Sequence, residues 1–215
     1  MTKNKTALII IILILLSILL YFIPTKKIIG NLPFLNRFYN NTTLEIVTQN
    51  GKAKIWIDGK DYGETPNTVE NLPEGNYLVE LEKIEDQKSF YNKYSFQIDL
   101  TRNTSARIDL EIGPENLVHG SVLYYTPAKT SSDDGFLTVI SNVKDSKVFI
   151  DKEFLKVTPI TNLAMKENQY QVKVTAQGYE EIEIPVLIRK NYYLNLKTFH
   201  FPVPVVFDTL NNTNE

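Results

Sequence analysis

The sequence predicts an all-β protein: two tandem small antiparallel β-sandwich domains, preceded by one transmembrane helix. Three observations carry this expectation. Residues 44–81 align without a gap onto residues 137–174, and ten of the 38 pairs are identical, so one folding unit occurs twice. Apolar and polar residues alternate with period two through both copies. Residues 7–23 form an apolar run broken only by Ser17.

The run follows a short tail, residues 1–6, that carries Lys3 and Lys5. Seventeen residues at ~1.5 Å each span about 25 Å, the lower limit for a bilayer core. Tyr21 and Phe22 sit where interfacial aromatics belong, and Pro24 ends the helix. The length of the run, and the lack of a small-x-small site after it, favour an uncleaved anchor over a cleavable signal peptide. Three positive groups on one side (Lys3, Lys5 and the α-amino group) balance Lys26, Lys27 and Arg37 on the other, so charge does not decide orientation. A short basic tail ahead of a long β-rich part favours the N-terminus inside and the domains extracytoplasmic. A tether to the cytoplasmic face is the other orientation.

Residues 24–42 read as a stalk, with Gly30, Pro33 and an Asn40-Asn41-Thr42 cluster. The first domain, 43–113, alternates at Leu44 and Ile46, at Ile55 and Ile57, at Tyr77, Val79 and Leu81, at Phe96, Ile98 and Leu100, and at Ile108, Leu110 and Ile112. Asp58-Gly59 signals a two-residue hairpin with positive φ, and Gly63 offers a second such position. Thr65-Pro66 reads as an extended strand exit. Leu72-Pro73-Glu74-Gly75 reads as a further turn, with Gly75 and its counterpart Asn168 suited to a left-handed conformation.

Residues 114–134 connect the copies, and Ser121 to Tyr125 suggest an added strand there. The second domain, 135–200, repeats the alternation at Leu137 and Val139, Val148 and Ile150, Tyr170, Val172 and Val174, Ile182, Ile184 and Val186, and Leu194 and Leu196. Lys152 replaces Gly59 and Lys156 replaces Gly63, which predicts a different turn type in the second hairpin. Residues 201–215 form an extended C-terminal tail, and Pro202 and Pro204 oppose a central strand.

Ile57-Asp58-Gly59, Gly63-Glu64-Thr65-Pro66 and Leu72-Pro73-Glu74-Gly75-Asn76-Tyr77 together resemble the PEGA domain. In the second copy Ile150-Asp151, Thr158-Pro159, Tyr170 and Gln177-Gly178-Tyr179 carry the resemblance. It implies a small β-sandwich module of exported and surface-layer-type prokaryotic proteins, with no known catalytic residues to carry over.

Composition narrows function further. With no cysteine, neither disulfides nor thiolate metal sites support the fold. The net charge of −2 becomes −4 without the two lysines of the tail, which argues against nucleic acid as a partner. Asp58, Asp61 and Glu64 do not match a calcium-loop spacing and read as turn residues. His119 and His200 occur in unlike contexts, and a hydrolase needs a base, a nucleophile and an orienting acid that converge. No catalytic residue, metal ligand or cofactor is therefore expected.

Trp56 and Phe149 are equivalent in the repeat and point away from the apolar faces of their strands. They are the candidate ligand-binding residues, as an aromatic platform for a glycan or peptide. Packing under their own hairpins is the plainer alternative. The expected function is that of a membrane-anchored, non-enzymatic surface or envelope protein. Its partners are the lipid bilayer, through residues 7–23, and envelope polysaccharide or surface proteins. An accessory or scaffolding subunit of a membrane complex is the alternative.

Overall fold

The computed structural model describes residues 41–85, 91–129 and 133–204. The expected transmembrane helix, the tail before it, the stalk up to residue 40 and residues 205–215 lie outside the described residues. No helix among the described residues is long and apolar enough to cross a membrane.

The first copy contributes β1 (Thr43–Gln49), β2 (Ala53–Ile57), β3 (Lys60–Glu64), β4 (Asn67–Glu70), β5 (Gly75–Lys83), β6 (Tyr94–Leu100) and β7 (Ser105–Ile112). After β8 (Val118–Pro127) the second copy contributes β9 (Gly135–Ser141), β10 (Lys147–Ile150), β11 (Glu153–Val157), β12 (Ile160–Met165), β13 (Asn168–Thr175), β14 (Ile182–Ile188) and β15 (Tyr192–Phe199). One seven-stranded sheet runs β12-β9-β15-β8-β7-β1-β4. Two four-stranded sheets, β3-β2-β5-β6 and β11-β10-β13-β14, complete the fold.

Among the described residues the all-β expectation holds, and most strand pairs are antiparallel. Two pairs depart from it: β1 with β7, and β9 with β15, are parallel. Each parallel pair joins the first and last strands of a copy. The chain between them passes through the four-stranded sheet, a crossover long enough to bring the last strand back in the same direction.

The two copies are also not separate sandwiches, because β8 belongs to both. It pairs antiparallel with β7 on one side and with β15 on the other. Val122 and Tyr124 enter the core that contains Ile55, Leu81 and Ile108. Tyr125, with Leu123 against it, enters the core that contains Leu137, Val172 and Leu196. Successive strand residues point to opposite faces, so the two cores, and the four-stranded sheets that close them, lie on opposite sides of the long sheet. A strand buried on both faces reads as an unbroken apolar run, and Val122-Leu123-Tyr124-Tyr125 is such a run. The tyrosine hydroxyl of Tyr125 donates to the carbonyl of Leu187 at 2.6 Å. The guanidinium of Arg189 reaches across to the carbonyl of Asn103 at 2.7 Å. The first bond fixes the joining strand to the second copy, and the second ties the two copies directly.

The hairpins show one expectation met and one corrected. Asp58 and Gly59 have φ of 49° and 76°, as a two-residue turn with both central residues left-handed requires. Asp151 and Lys152 have φ of 49° and 75°, so the second hairpin keeps the same turn although lysine replaces glycine. The strand register imposes the turn, and Lys152 bears the cost. Gly63, at φ 84°, accompanies a bulge between β2 and β3. The bulge persists between β10 and β11, where Lys156 has no positive φ. Neither Gly75 nor Asn168 is left-handed. Each opens its strand, and the left-handed residue of the first copy's turn is Asn71, at φ 60°.

Candidate functional site

The residues that recur between the copies are engaged internally. The carboxylate of Asp58 accepts the Leu78 N–H at 2.9 Å, and that of Asp151 accepts the Gln171 N–H at 2.8 Å. The hydroxyl of Thr65 accepts the N–H of Ala53 at 2.9 Å, and that of Thr158 accepts the N–H of Ser146 at 3.2 Å. Tyr77 donates its hydroxyl to the carbonyl of Pro73, and Tyr170 donates to Lys166. Burial first, then the nearby Asp58 and Tyr62, raise the Tyr77 phenol above its ordinary value. The repeated phrase is therefore a set of fastenings between hairpin, strand exit and central strand. Asp61 accepts from the Gly63 N–H at 2.7 Å, and Glu64 pairs with Lys52 at 3.6 Å. Among the described residues no group of three or more His, Cys, Asp or Glu is placed to hold a metal ion.

Trp56 and Phe149 both lie on the outer faces of the four-stranded sheets, each one residue before the end of its strand. The register places Trp56 opposite Glu80 and Asp61, and Phe149 opposite Lys173 and Phe154. From there their surroundings diverge. The ammonium of Lys93 sits over the Trp56 ring, 4.4 Å from its centroid, and pairs with Glu80 at 3.0 Å. Among the described residues no cation is set over the Phe149 ring in this way. Lys173, at the Glu80 position, is drawn sideways to Glu181 at 2.7 Å. The diagonal ion pair is kept with its two charges exchanged. Glu181 precedes Glu183, the partner of Lys173, by two residues, just as Lys93 precedes Ser95, the partner of Glu80.

Phe149 instead lines an open cleft of about 410 Å³ together with Lys152, Gln171, Lys173, Thr175, Glu181 and Glu183. Phe154, 58% exposed, meets Phe149 edge to face at 67°, with centroids 5.6 Å apart. Neither candidate aromatic is fully buried under a second layer. A second crevice, about 420 Å³, runs between β14 and the face of the long sheet beside β7. The guanidinium there, Arg107, is held by Asp109 at 2.8 Å and Glu45 at 3.1 Å. The hydrogen bond to Asp109 is the main reason its pKa is raised.

The two histidines, unrelated in sequence, are neighbours in space, with ring centroids 6.4 Å apart. His200 is buried and shares its Nδ1 with the Glu180 carbonyl at 2.7 Å and its Nε2 with the Thr198 hydroxyl at 3.2 Å. Burial lowers its pKa, the bond to Glu180 opposes this, and His119 adds to the lowering. His119 accepts the N–H of Phe201 at Nδ1, 3.3 Å away. Residues 201–204 continue along residues 178–180, through Phe201 to Glu180 and Val203 to Gly178 at 2.9 Å each. The beginning of the predicted tail thus lies on the second copy.

A family model described as the PEGA domain matches two segments, residues 41–116 and 135–200. β8 falls between these segments. No curated protein matches the chain. Among solved structures, the chain is similar to the Bacillus anthracis TIE protein at 14% identity and a TM-score of 0.24. The match covers 74% of this chain and 34% of that one, so the chain spans about a third of its length.

Proposed function

Because this chain belongs to the PEGA domain family, with the repeat matched in two tandem segments, we propose that it is a membrane-anchored, non-enzymatic surface protein that binds envelope polysaccharide. The observation that carries the reading is the Phe149 cleft, an aromatic surface bordered by amide, hydroxyl and charged groups on the outside of a rigid sheet. Residues 7–23 supply the anchor, and the stalk, residues 24–42, gives reach. Lack of catalysis is supported by the histidines. Two of their ring nitrogens are committed to backbone groups, of Glu180 and Phe201, and the Thr198 hydroxyl that meets a third is buried away from any substrate.

An accessory subunit of a membrane complex is the second reading. It is favoured by the exposed edge strand β11, where Phe154, Leu155 and Val157 present apolar surface that Asp61, Tyr62 and Glu64 do not. Protease treatment of intact cells tests topology: cleavage within residues 43–204 is expected, and survival of that region places the domains inside. Capture on cell-wall polysaccharide, against capture from a membrane extract, separates the two readings. Retention on polysaccharide supports the first, and co-purification of membrane subunits alone supports the second.

A further inference from the structure

The two copies do not offer the same outer face, and the difference lies in one exchanged ion pair. In the first copy Lys93 reaches diagonally across the sheet, pairs with Glu80 and places its ammonium on the Trp56 ring. One face of the Trp56 ring is thus occupied from within the chain. In the second copy the cation comes from the central strand, at Lys173, and the carboxylate from the edge, at Glu181. A carboxylate has no attraction for the electron-rich face of an aromatic ring, so this ion pair sets no cation over Phe149, which is half-buried with Phe154 at its edge and borders the cleft. The neighbours change in the same sense: Gln171 replaces Leu78, Thr175 replaces Glu82 and Lys152 replaces Gly59 at equivalent positions. The second copy gains hydrogen-bonding side chains around its aromatic ring while the first has an apolar residue, a third acid and a glycine.

We propose that the second copy alone binds saccharide, that its ligand is an uncharged polysaccharide segment laid on Phe149, and that the first copy is a self-capped spacer. This deepens the polysaccharide-binding reading above and rests on it. The class of ligand follows from the cleft. Its charged residues, Lys152, Lys173, Glu181 and Glu183, sum to zero, so a polyanion gains no net attraction and meets two carboxylates. A sugar ring presents an apolar C–H face to Phe149 and hydroxyls at its rim to Gln171, Thr175 and the carboxylates, which matches an aromatic surface with a polar border. Phe154, set against Phe149 at 67°, makes a corner that favours a chain lying along the sheet over a flat aromatic ligand.

The single tryptophan makes the asymmetry directly readable, because Trp56 is the only one in the chain and reports on the first copy. The experiment uses the full chain in detergent micelles and gel retardation by a panel of soluble neutral polysaccharides (glucan, mannan, galactan and an N-acetylated glucan), with carboxymethylated glucan as the anionic counterpart. At least one neutral polymer is expected to retard the protein more than the anionic one. Phe149→Ala is expected to weaken retardation about tenfold, the equivalent of ~1.4 kcal/mol, and Phe149→Tyr to restore it. Gln171→Ala, which changes an exposed strand position, is expected to weaken binding while leaving thermal unfolding unchanged. Trp56→Phe is expected to bind as the parent does, and Trp56 emission is expected to stay constant at saturation. Undiminished binding by both Phe149→Ala and Gln171→Ala, or a shift of Trp56 emission on binding, overturns the asymmetric site and leaves polysaccharide binding intact. Stronger retardation by the anionic polymer overturns the neutral-ligand assignment. Failure of every polysaccharide to retard the parent chain overturns both the site and the reading on which it rests.

Discussion

The rings of His119 and His200 come within 6.4 Å of each other because β8 and β15 run antiparallel with Gly120 opposite Phe199. The pair anchors the start of the C-terminal segment through Phe201 and Glu180. Burial lowers His200 below its ordinary value of 6.5. Between that lowered value and 6.5 the unfolded chain binds more protons than the folded protein. The stability linked to neutral His200 is therefore complete above 6.5 and is lost as pH falls through this window. Denaturant unfolding measured between pH 7.5 and 4.5 should show this fall in the parent and a smaller one in His200→Gln. Equal pH slopes for the two proteins refute it.

Lys152 holds a left-handed backbone that glycine holds at the equivalent Gly59. Lys152→Gly should stabilise the protein by about 1 kcal/mol, because a side chain at positive φ is strained. Gly59→Lys should destabilise it by a similar amount. For a chain of this size the melting temperature should move by about 2–4 °C in each direction, measured by circular dichroism. A loss of stability in Lys152→Gly contradicts the account.

Gly120 allows β8 to lie against β7. A Cβ there would stand 2.2 Å from the carbonyl oxygen of Asp109, at a φ of 123°. Gly120→Ala should cost about 3 kcal/mol or more. Since β8 closes both cores, limited proteolysis should show both copies loosened together. Loosening of one copy alone would mean that the shared strand does not couple them.

Lys93→Ala removes the cation from the Trp56 ring. Quenching of Trp56 fluorescence by acrylamide should rise, with a stability loss of no more than about 1 kcal/mol. Unchanged quenching would mean that Lys93 does not shield the ring in solution.

Thr65 and Thr158 accept the N–H groups of Ala53 and Ser146, both fully buried. Thr65→Val and Thr158→Val keep the shape and remove the acceptor, leaving a buried N–H unsatisfied. Each should cost about 1–3 kcal/mol in thermal or denaturant unfolding. A neutral Val variant would show that this fastening contributes nothing to stability.

Local patterns in the sequence identified most strands, the first hairpin and the positions of Trp56 and Phe149 on outward faces. Period-two alternation encodes which face of a strand is buried, and turn residues encode where it reverses. The unequal fates of Trp56 and Phe149 were hidden because their covering residues lie beyond the gapless repeat. Lys93 and Glu181 occupy corresponding places in the sheets but not at the constant sequence offset, since the loops before β6 and β14 differ in length. The histidine pair was hidden for a similar reason: only the β8–β15 register brings the two residues together.

The sequence by itself determined that one β-rich unit occurs twice, because its alternation and turn chemistry are local and recur side by side. It also contained the signature of the joining strand, the apolar run Val122-Leu123-Tyr124-Tyr125. Only the tertiary structure decided that this strand serves two cores on opposite faces of one sheet, that lysine must occupy a glycine's backbone conformation at residue 152, and that an exchanged ion pair sets its cation over one aromatic and not over the other. Each of these depends on which strand lies beside which, and that is settled by burying apolar area across the whole chain rather than by the preferences of any one segment.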